Sequence, residues 1–228
     1  MRLNAFLARA GITSRRKADE LIKAGRVTVN GKNGQLNSNV DQNDQVALDG
    51  KAVGAQKLRY ILINKPTGTV TTLKDPHGRK KIIDLVNISE RVVPVGRLDW
   101  DTTGALLLTN DGELANQLMH PSFKVNKTYT ATVQGELTED KLNKLRRGVM
   151  LDDGPSAPAQ VRALTSSKIE IIIHEGRNHL VKRMLGTVDL KVTALHRSIY
   201  EELDLTELRP GQWRDLTKKE ILQLRMVK

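Results

Sequence analysis

The stretch that decides the fold is Val92–Met119, "VVPVGRLDWDTTGALLLTNDGELANQLM". Val92 to Val95 and Ala105 to Thr109 are apolar runs of strand length, and a polar loop from Gly96 to Gly104 separates them. Asn110-Asp111-Gly112 then turns the chain, and Glu113 to Met119 suits a helix. Working outward, Arg59 to Asn64, Val125 to Val133, Lys168 to His174 and Leu190 to Leu195 read as strands. Asn178 to Leu185 reads as a helix, Thr138 before Glu139 and Asp140 caps another, and Thr217 with Glu220 forms a capping box for the last. Strands and helices intermix without the long, regular crossovers of a doubly wound sheet. The fold class is therefore α+β, with a mixed, mainly antiparallel sheet.

Upstream of Leu58 the texture differs. Leu3, Phe6, Leu7 and Ala10 share one face of a short helix, and Thr13 or Ser14 can cap a second with Ala18, Leu21 and Ile22 facing inward. Val27 and Val29 alternate before Asn30-Gly31, a hairpin signal, and Gln45 to Leu48 is a second short strand. Gly54-Ala55-Gln56-Lys57 reads as a linker, so the expected domains are 1–54 and 58–228.

The charge supports that division. The 228 residues hold 37 Lys+Arg against 26 Asp+Glu, a net +11, and residues 1–57 carry 10 basic and 5 acidic side chains of that total. Such a surplus points to a polyanion, most simply nucleic acid. Arg15, Arg16 and Lys17 stand in the first turn of the second helix, where cations oppose the helix dipole. That placement makes sense if a phosphate docks there; the plainer reading is a solvated helix face. At 3% aromatic residues, the chain is poor in the stacking platforms of RRM or OB folds. With no cysteine there is no disulfide framework, thiolate nucleophile or Cys-ligated zinc. No apolar run approaches the ~20 residues that span a bilayer, and the N-terminus lacks a signal-peptide apolar region, so a cytoplasmic location is expected.

Three catalytic motifs fail on spacing. In His174-Glu175-Gly176-Arg177-Asn178-His179 the histidines are five apart, about 140° around a helix, so a metal site is not expected. Lys65-Pro66-Thr67-Gly68 lacks the Gly-Lys-Ser/Thr of a phosphate loop, and no Gly-x-Ser-x-Gly elbow is present. There remains Gly96-Arg97-Leu98-Asp99-Trp100-Asp101-Thr102-Thr103-Gly104, a loop displayed between buried strands. Its carboxylates can serve chemistry or simply satisfy turn N–H groups. Asp99 and Asp101 are too close in sequence for the facing acid/base pair of a glycosidase.

Residues 1–50, with "SRRKADELIKAGRVTVNGK", resemble an S4 RNA-binding domain. "INKPTG", "GRLDWDTTGALLLTNDGELANQLMHP", "KTYTATV" and "HEGRNHLVKRML" resemble the successive motifs of the RsuA/RluB family of ribosomal RNA pseudouridine synthases. The resemblance spans nearly the whole chain. It implies an S4-like RNA-binding domain followed by a pseudouridine synthase catalytic domain on a bent, largely antiparallel sheet. It also implies base flipping and isomerisation of a uridine in ribosomal RNA, with no metal or organic cofactor.

By position in those motifs, Asp99 matches the family's essential aspartate and Arg97 the arginine that fills the space of the flipped uridine. Tyr129 matches the tyrosine that stacks on the target base, and Lys182 the basic residue paired with the aspartate. Leu195 and Arg197 match the closing L-x-R segment of the pocket, and Arg177 joins the substrate-contacting set. Arg15, Arg16 and Lys17 are the RNA-binding candidates. Two positions depart from the pattern: Leu180 stands where Gln is usual and Glu201 where Gly is usual.

The expected partner is ribosomal RNA or a ribosome-assembly intermediate, met by a monomer without membrane contact. "LMHPSFKVNKTY" resembles the large-subunit branch and "ALHR" the small-subunit branch; the balance favours large-subunit RNA. The competing class is a non-catalytic S4-domain rRNA-binding or assembly factor, which would bind without turnover.

Overall fold

Two short helices open the chain in the computed structural model, which describes residues 1–227. Leu3 and Leu7 of Leu3–Arg9, and Ala18 and Ile22 of Arg15–Lys23, recur at helical spacing and are buried in one cluster with Val27, Val40 and Val46. Ser14 caps the second helix by accepting the Lys17 N–H at 3.3 Å. Strands Val27–Val29, Lys32–Asn33, Val46–Leu48 and Lys51–Ala52, turned at Asn30-Gly31 and Asp49-Gly50, make a small antiparallel sheet. The 54–57 segment is irregular and tied down within the first unit. Gln56 Oε1 accepts the Arg91 N–H at 3.1 Å and the Lys57 carbonyl accepts from Asn110 at 2.8 Å.

The chain divides into two compact units. Met1–Arg59, Ile88–Val92 and Thr109–Gly112 form the first, and the remaining described residues form the second. Seven strands of a nine-stranded sheet, all but Thr109 within the second unit, lie in the order Gln160–Ala163, Lys168–Ile173, Lys127–Gln134, Lys191–Tyr200, Thr102–Thr109, Tyr60–Lys65 and Trp213–Asp215. Lys191–Tyr200 runs antiparallel to Lys127–Gln134 and parallel to Thr102–Thr109, so the sheet is mixed with a mainly antiparallel character. The central strands carry unbroken apolar runs because both faces are covered. Ile61, Leu62 and Ile63, like Leu106, Leu107 and Leu108, have no exposed surface. Each such side chain contributes ~1.5–3 kcal/mol relative to an exposed one.

Two elements differ from the sequence reading in ways that matter for the site. Thr102, Thr103 and Gly104, expected in the loop, are the first residues of strand Thr102–Thr109. Threonine is a good strand former, and Leu195, His196 and Arg197 pair with these three residues in parallel register. The strand expected to end at Leu195 continues to Tyr200, which carries Arg197 into the sheet. Helix Leu180–Gly186 packs against that strand. Among the described residues no helix is long and apolar enough to cross a membrane, and no cluster of His, Asp and Glu is placed to hold a metal ion.

Candidate active site

Gly104 fixes how closely two strands meet. Its φ is +113, and a Cβ there would lie 2.2 Å from the Arg197 carbonyl oxygen and 2.7 Å from the Arg197 nitrogen. Only glycine allows Thr102–Thr109 to sit this near Lys191–Tyr200. Across three neighbouring strands Gly104, Arg197 and Tyr129 therefore form one row.

The loop before that row is cradled by Lys65, the last residue of strand Tyr60–Lys65, and by the residues after it. The Lys65 ammonium has no exposed surface and donates to the carbonyls of Thr102 at 2.8 Å, Asp99 at 2.9 Å and Pro66 at 3.2 Å, with Trp100 at 3.5 Å. Gly68 N–H donates to the Trp100 carbonyl at 3.0 Å, and the Thr71 hydroxyl donates to the Leu98 carbonyl at 2.8 Å. Burial pulls the Lys65 pKa down to about 8, against the opposing pull of Asp101 and Asp99. Along the sequence Lys65 stands out only as part of a segment that lacks the phosphate-loop signature. Its signal is the buried run "YILIN" before it, which places the next alternating side chain inside as well.

Held this way, the Asp99 carboxylate meets helix Leu180–Gly186. Lys182 Nζ lies 3.2 Å from Asp99 Oδ2 and 2.6 Å from Asp101 Oδ1, so one ammonium serves two carboxylates. Burial alone would lower the Lys182 pKa, but its bonds to Asp101 and Asp99 outweigh it and the pKa is raised. The same hydrogen bond from Lys182 lowers the Asp101 pKa. His179 Nε2 approaches Asp99 Oδ1 at 3.4 Å, from a residue held in the left-handed region at φ 50 just before the helix. His179 belongs to the motif rejected as a metal site, and its nearness to Asp99 is a tertiary fact that spacing along the chain does not carry.

Tyr129 is 8% exposed and Arg197 2% exposed. The Arg197 guanidinium donates to the Ala105 carbonyl at 2.6 Å and to the Tyr129 hydroxyl at 3.4 Å, and stands 5.1 Å from the centre of the Tyr200 ring. Its Nη2 is buried with no hydrogen-bond partner among the described residues, a donor left over for a ligand. Leu195, 6% exposed, lies two residues earlier on the same strand and pairs with Thr102.

The remaining candidates differ in what holds their side chains. Arg97 is exposed and its side chain has no hydrogen bond or ion pair among the described residues. Arg177 is committed elsewhere: it donates to Asp153 at 2.9 Å and to the carbonyls of Gly154 and Pro155 at 3.1 and 3.0 Å, bracing a local hairpin. Arg15, Arg16 and Lys17 are exposed in the first turn of their helix in the first unit.

The departures at Leu180 and Glu201 are locally accommodated. Leu180 is 3% exposed, an apolar side chain facing the core. Glu201 adopts φ 53, where glycine is unstrained, and its carboxylate accepts the Asn126 N–H. That bond offsets part of the strain.

A carboxylate clamped by a lysine sits on a loop braced by a buried cation, beside a sheet bearing a buried tyrosine and arginine, the kind of constellation that acid–base or nucleophilic chemistry requires. Residues 59–187 match the family model of RNA pseudouridylate synthases, and residues 1–46 match the S4 domain. The chain is 45% identical over 235 residues to an RNA pseudouridine synthase of Aquifex aeolicus (strain VF5), covering 98% of this chain and 93% of that protein. It is 44% identical over 232 residues to ribosomal large subunit pseudouridine synthase B of Bacillus subtilis (strain 168), covering 98% and 95%. A crystal structure of a pseudouridylate synthase superposes with a TM-score of 0.73 at 29% identity, covering 98% of this chain and 99% of that one. The chain belongs to the RNA pseudouridylate synthase family and carries an S4 domain; it is an isomerase.

Proposed function

We propose that this chain converts one uridine of large-subunit ribosomal RNA to pseudouridine. The observation that carries the reading is the clamp on Asp99: its carboxylate is paired by Lys182 at 3.2 Å while its backbone carbonyl is held by Lys65 at 2.9 Å. Such double anchoring presets a catalytic group before substrate arrives. The name of the Bacillus subtilis relative supports the large subunit. A uridine stacked in RNA must be flipped out to reach Asp99, at a cost of a few kcal/mol. Tyr129 then supports the base, Arg197 supplies its unpaired donor, Leu195 lines the pocket, and the exposed Arg97 fills the gap left in the RNA. Breaking the bond from the sugar to N1, turning the uracil and rejoining it through C5 leaves the composition unchanged: the C5 proton goes to solvent and the freed N1 takes one up.

In this reading residues 1–54 are the RNA grip, with Arg15, Arg16 and Lys17 on phosphates, and residues 58–228 perform the reaction. The protein works in the cytoplasm as a monomer, on ribosomal RNA or an assembly intermediate. Mapping pseudouridines in ribosomal RNA from cells with and without the gene tests the substrate. One large-subunit uridine should lose its modification; an unchanged large-subunit map contradicts the proposal.

A further inference from the structure

Lys182 also lines an open cavity of about 500 Å³, together with Gln134, Gly186, Asp189, Lys191 and Val192. None of these other residues belongs to the motifs that carry the proposed reaction. The cavity is built rather than incidental. After helix Leu180–Gly186 the chain is pinned by three backbone hydrogen bonds: Val188 to Leu185 at 3.2 Å, Asp189 to Gly186 at 3.1 Å and Leu190 to Leu185 at 3.0 Å. Asp189 is thereby held at φ 55. The opposite wall approaches because residue 135 is glycine, with φ +117; a Cβ there would sit 2.7 Å from the Asp189 carbonyl oxygen. Gln134 and Lys191 face each other across neighbouring strands.

The polar groups of this cavity are free. The side chains of Gln134, Asp189 and Lys191 are exposed and have no hydrogen bond or ion pair among the described residues. They offer an amide with both donor and acceptor, a carboxylate that only accepts, and an ammonium. A site for phosphate alone would exclude the carboxylate, whereas a base edge uses it: carboxylates accept from an exocyclic amino group and Gln pairs with adenine in two-point fashion. Volume, mixed polarity and a rigid frame fit one nucleobase with its phosphate on Lys191.

We infer that this cavity is a subsite for a nucleotide neighbouring the target uridine, and that it prefers a base bearing an amino group. The inference rests on the isomerase reading, because Lys182 joins the cavity to Asp99 at 3.2 Å. Uracil is disfavoured there, since two carbonyl oxygens flank its one N–H and would face the Asp189 carboxylate.

The test uses the full chain and large-subunit RNA fragments tritiated at uridine C5, with each nucleotide within two positions of the modified uridine changed in turn. Wild type should favour an amino-bearing base over uracil at one of those positions by about 10-fold in kcat/KM, the size of one good base contact. Asp189→Asn and Gln134→Ala, both at exposed positions, should each reduce that preference to about 3-fold or less while the other positions are unaffected. Wild-type turnover with no such preference, or a preference unchanged in both variants, overturns the subsite and leaves the isomerase reading standing. No tritium release by wild type from any fragment overturns the isomerase reading and the subsite with it.

Discussion

Replacing Gly104 by alanine probes the joint on which the centre depends. The new Cβ would fall 2.2 Å from the Arg197 carbonyl oxygen, and must move to at least 3.0 Å, so the two strands have to part by 0.8 Å or more. Backbone on both sides leaves no flexible side chain to absorb the shift. Holding an L-residue at φ +113 adds its own strain. Positive φ costs roughly 1–2 kcal/mol and overpacking about 1–3 kcal/mol, so the loss should be about 2–5 kcal/mol. That is a large share of the ~5–15 kcal/mol by which domains are stable. The shift also separates the strand bearing Leu195 and Arg197 from the end of the Asp99 loop, and a displacement near 1 Å can lower turnover about 100-fold. Urea denaturation of Gly104→Ala beside Gly112→Ala checks the reasoning. Gly112 starts helix Gly112–Met119, and a Cβ added there would meet open space, so its alanine variant should match wild type or gain up to about 1 kcal/mol. A Gly104→Ala protein within about 0.5 kcal/mol of wild type, with full turnover, refutes the reasoning.

Three further perturbations follow from particular contacts. Lys65→Met removes a group whose pKa falls from 10.5 to about 8 on folding. Between those two values the unfolded chain keeps the proton and the folded chain has lost it, so this group makes wild-type stability rise with pH across the window. Denaturation at a series of pH values should show that rise in wild type relative to Lys65→Met; a constant difference between them contradicts the assignment. Glu201→Gly relieves left-handed strain but gives up the bond to Asn126, and calorimetry should find stability changed by less than about 1 kcal/mol. A loss above about 2 kcal/mol would mean the Asn126 bond does far more than offset strain. Replacing Arg15, Arg16 and Lys17 together by alanine should weaken RNA binding and make its salt dependence shallower by roughly 2–3 in the log–log slope. An unchanged slope removes these side chains from the RNA interface.

Local chemistry is readable along the chain wherever it acts over a few residues. Ser14, Thr138 and Thr217 cap helices as their residue types require, and the last does so reciprocally with Glu220. Asn30-Gly31 and Asp49-Gly50 turn between strands. What escapes a reading of the sequence depends on partners far along the chain. Lys65 is buried only because carbonyls 34 and 37 residues later need a donor. Thr102 to Gly104 become strand because Leu195 to Arg197 arrive beside them. Arg177 is engaged by a hairpin at Asp153 and Gly154, and His179, in a left-handed conformation, meets Asp99. The resemblance pairs Lys182 with Asp99; the bridge that the same ammonium makes to Asp101 is visible only in three dimensions.

The central claim is that Asp99 performs the chemistry and the rest of the chain serves it. Release of tritium from C5-labelled large-subunit ribosomal RNA, compared between wild type and Asp99→Asn at matched RNA binding, tests it most directly. Wild type should release tritium and Asp99→Asn should release none while binding RNA nearly as well. Full turnover by Asp99→Asn would contradict the account.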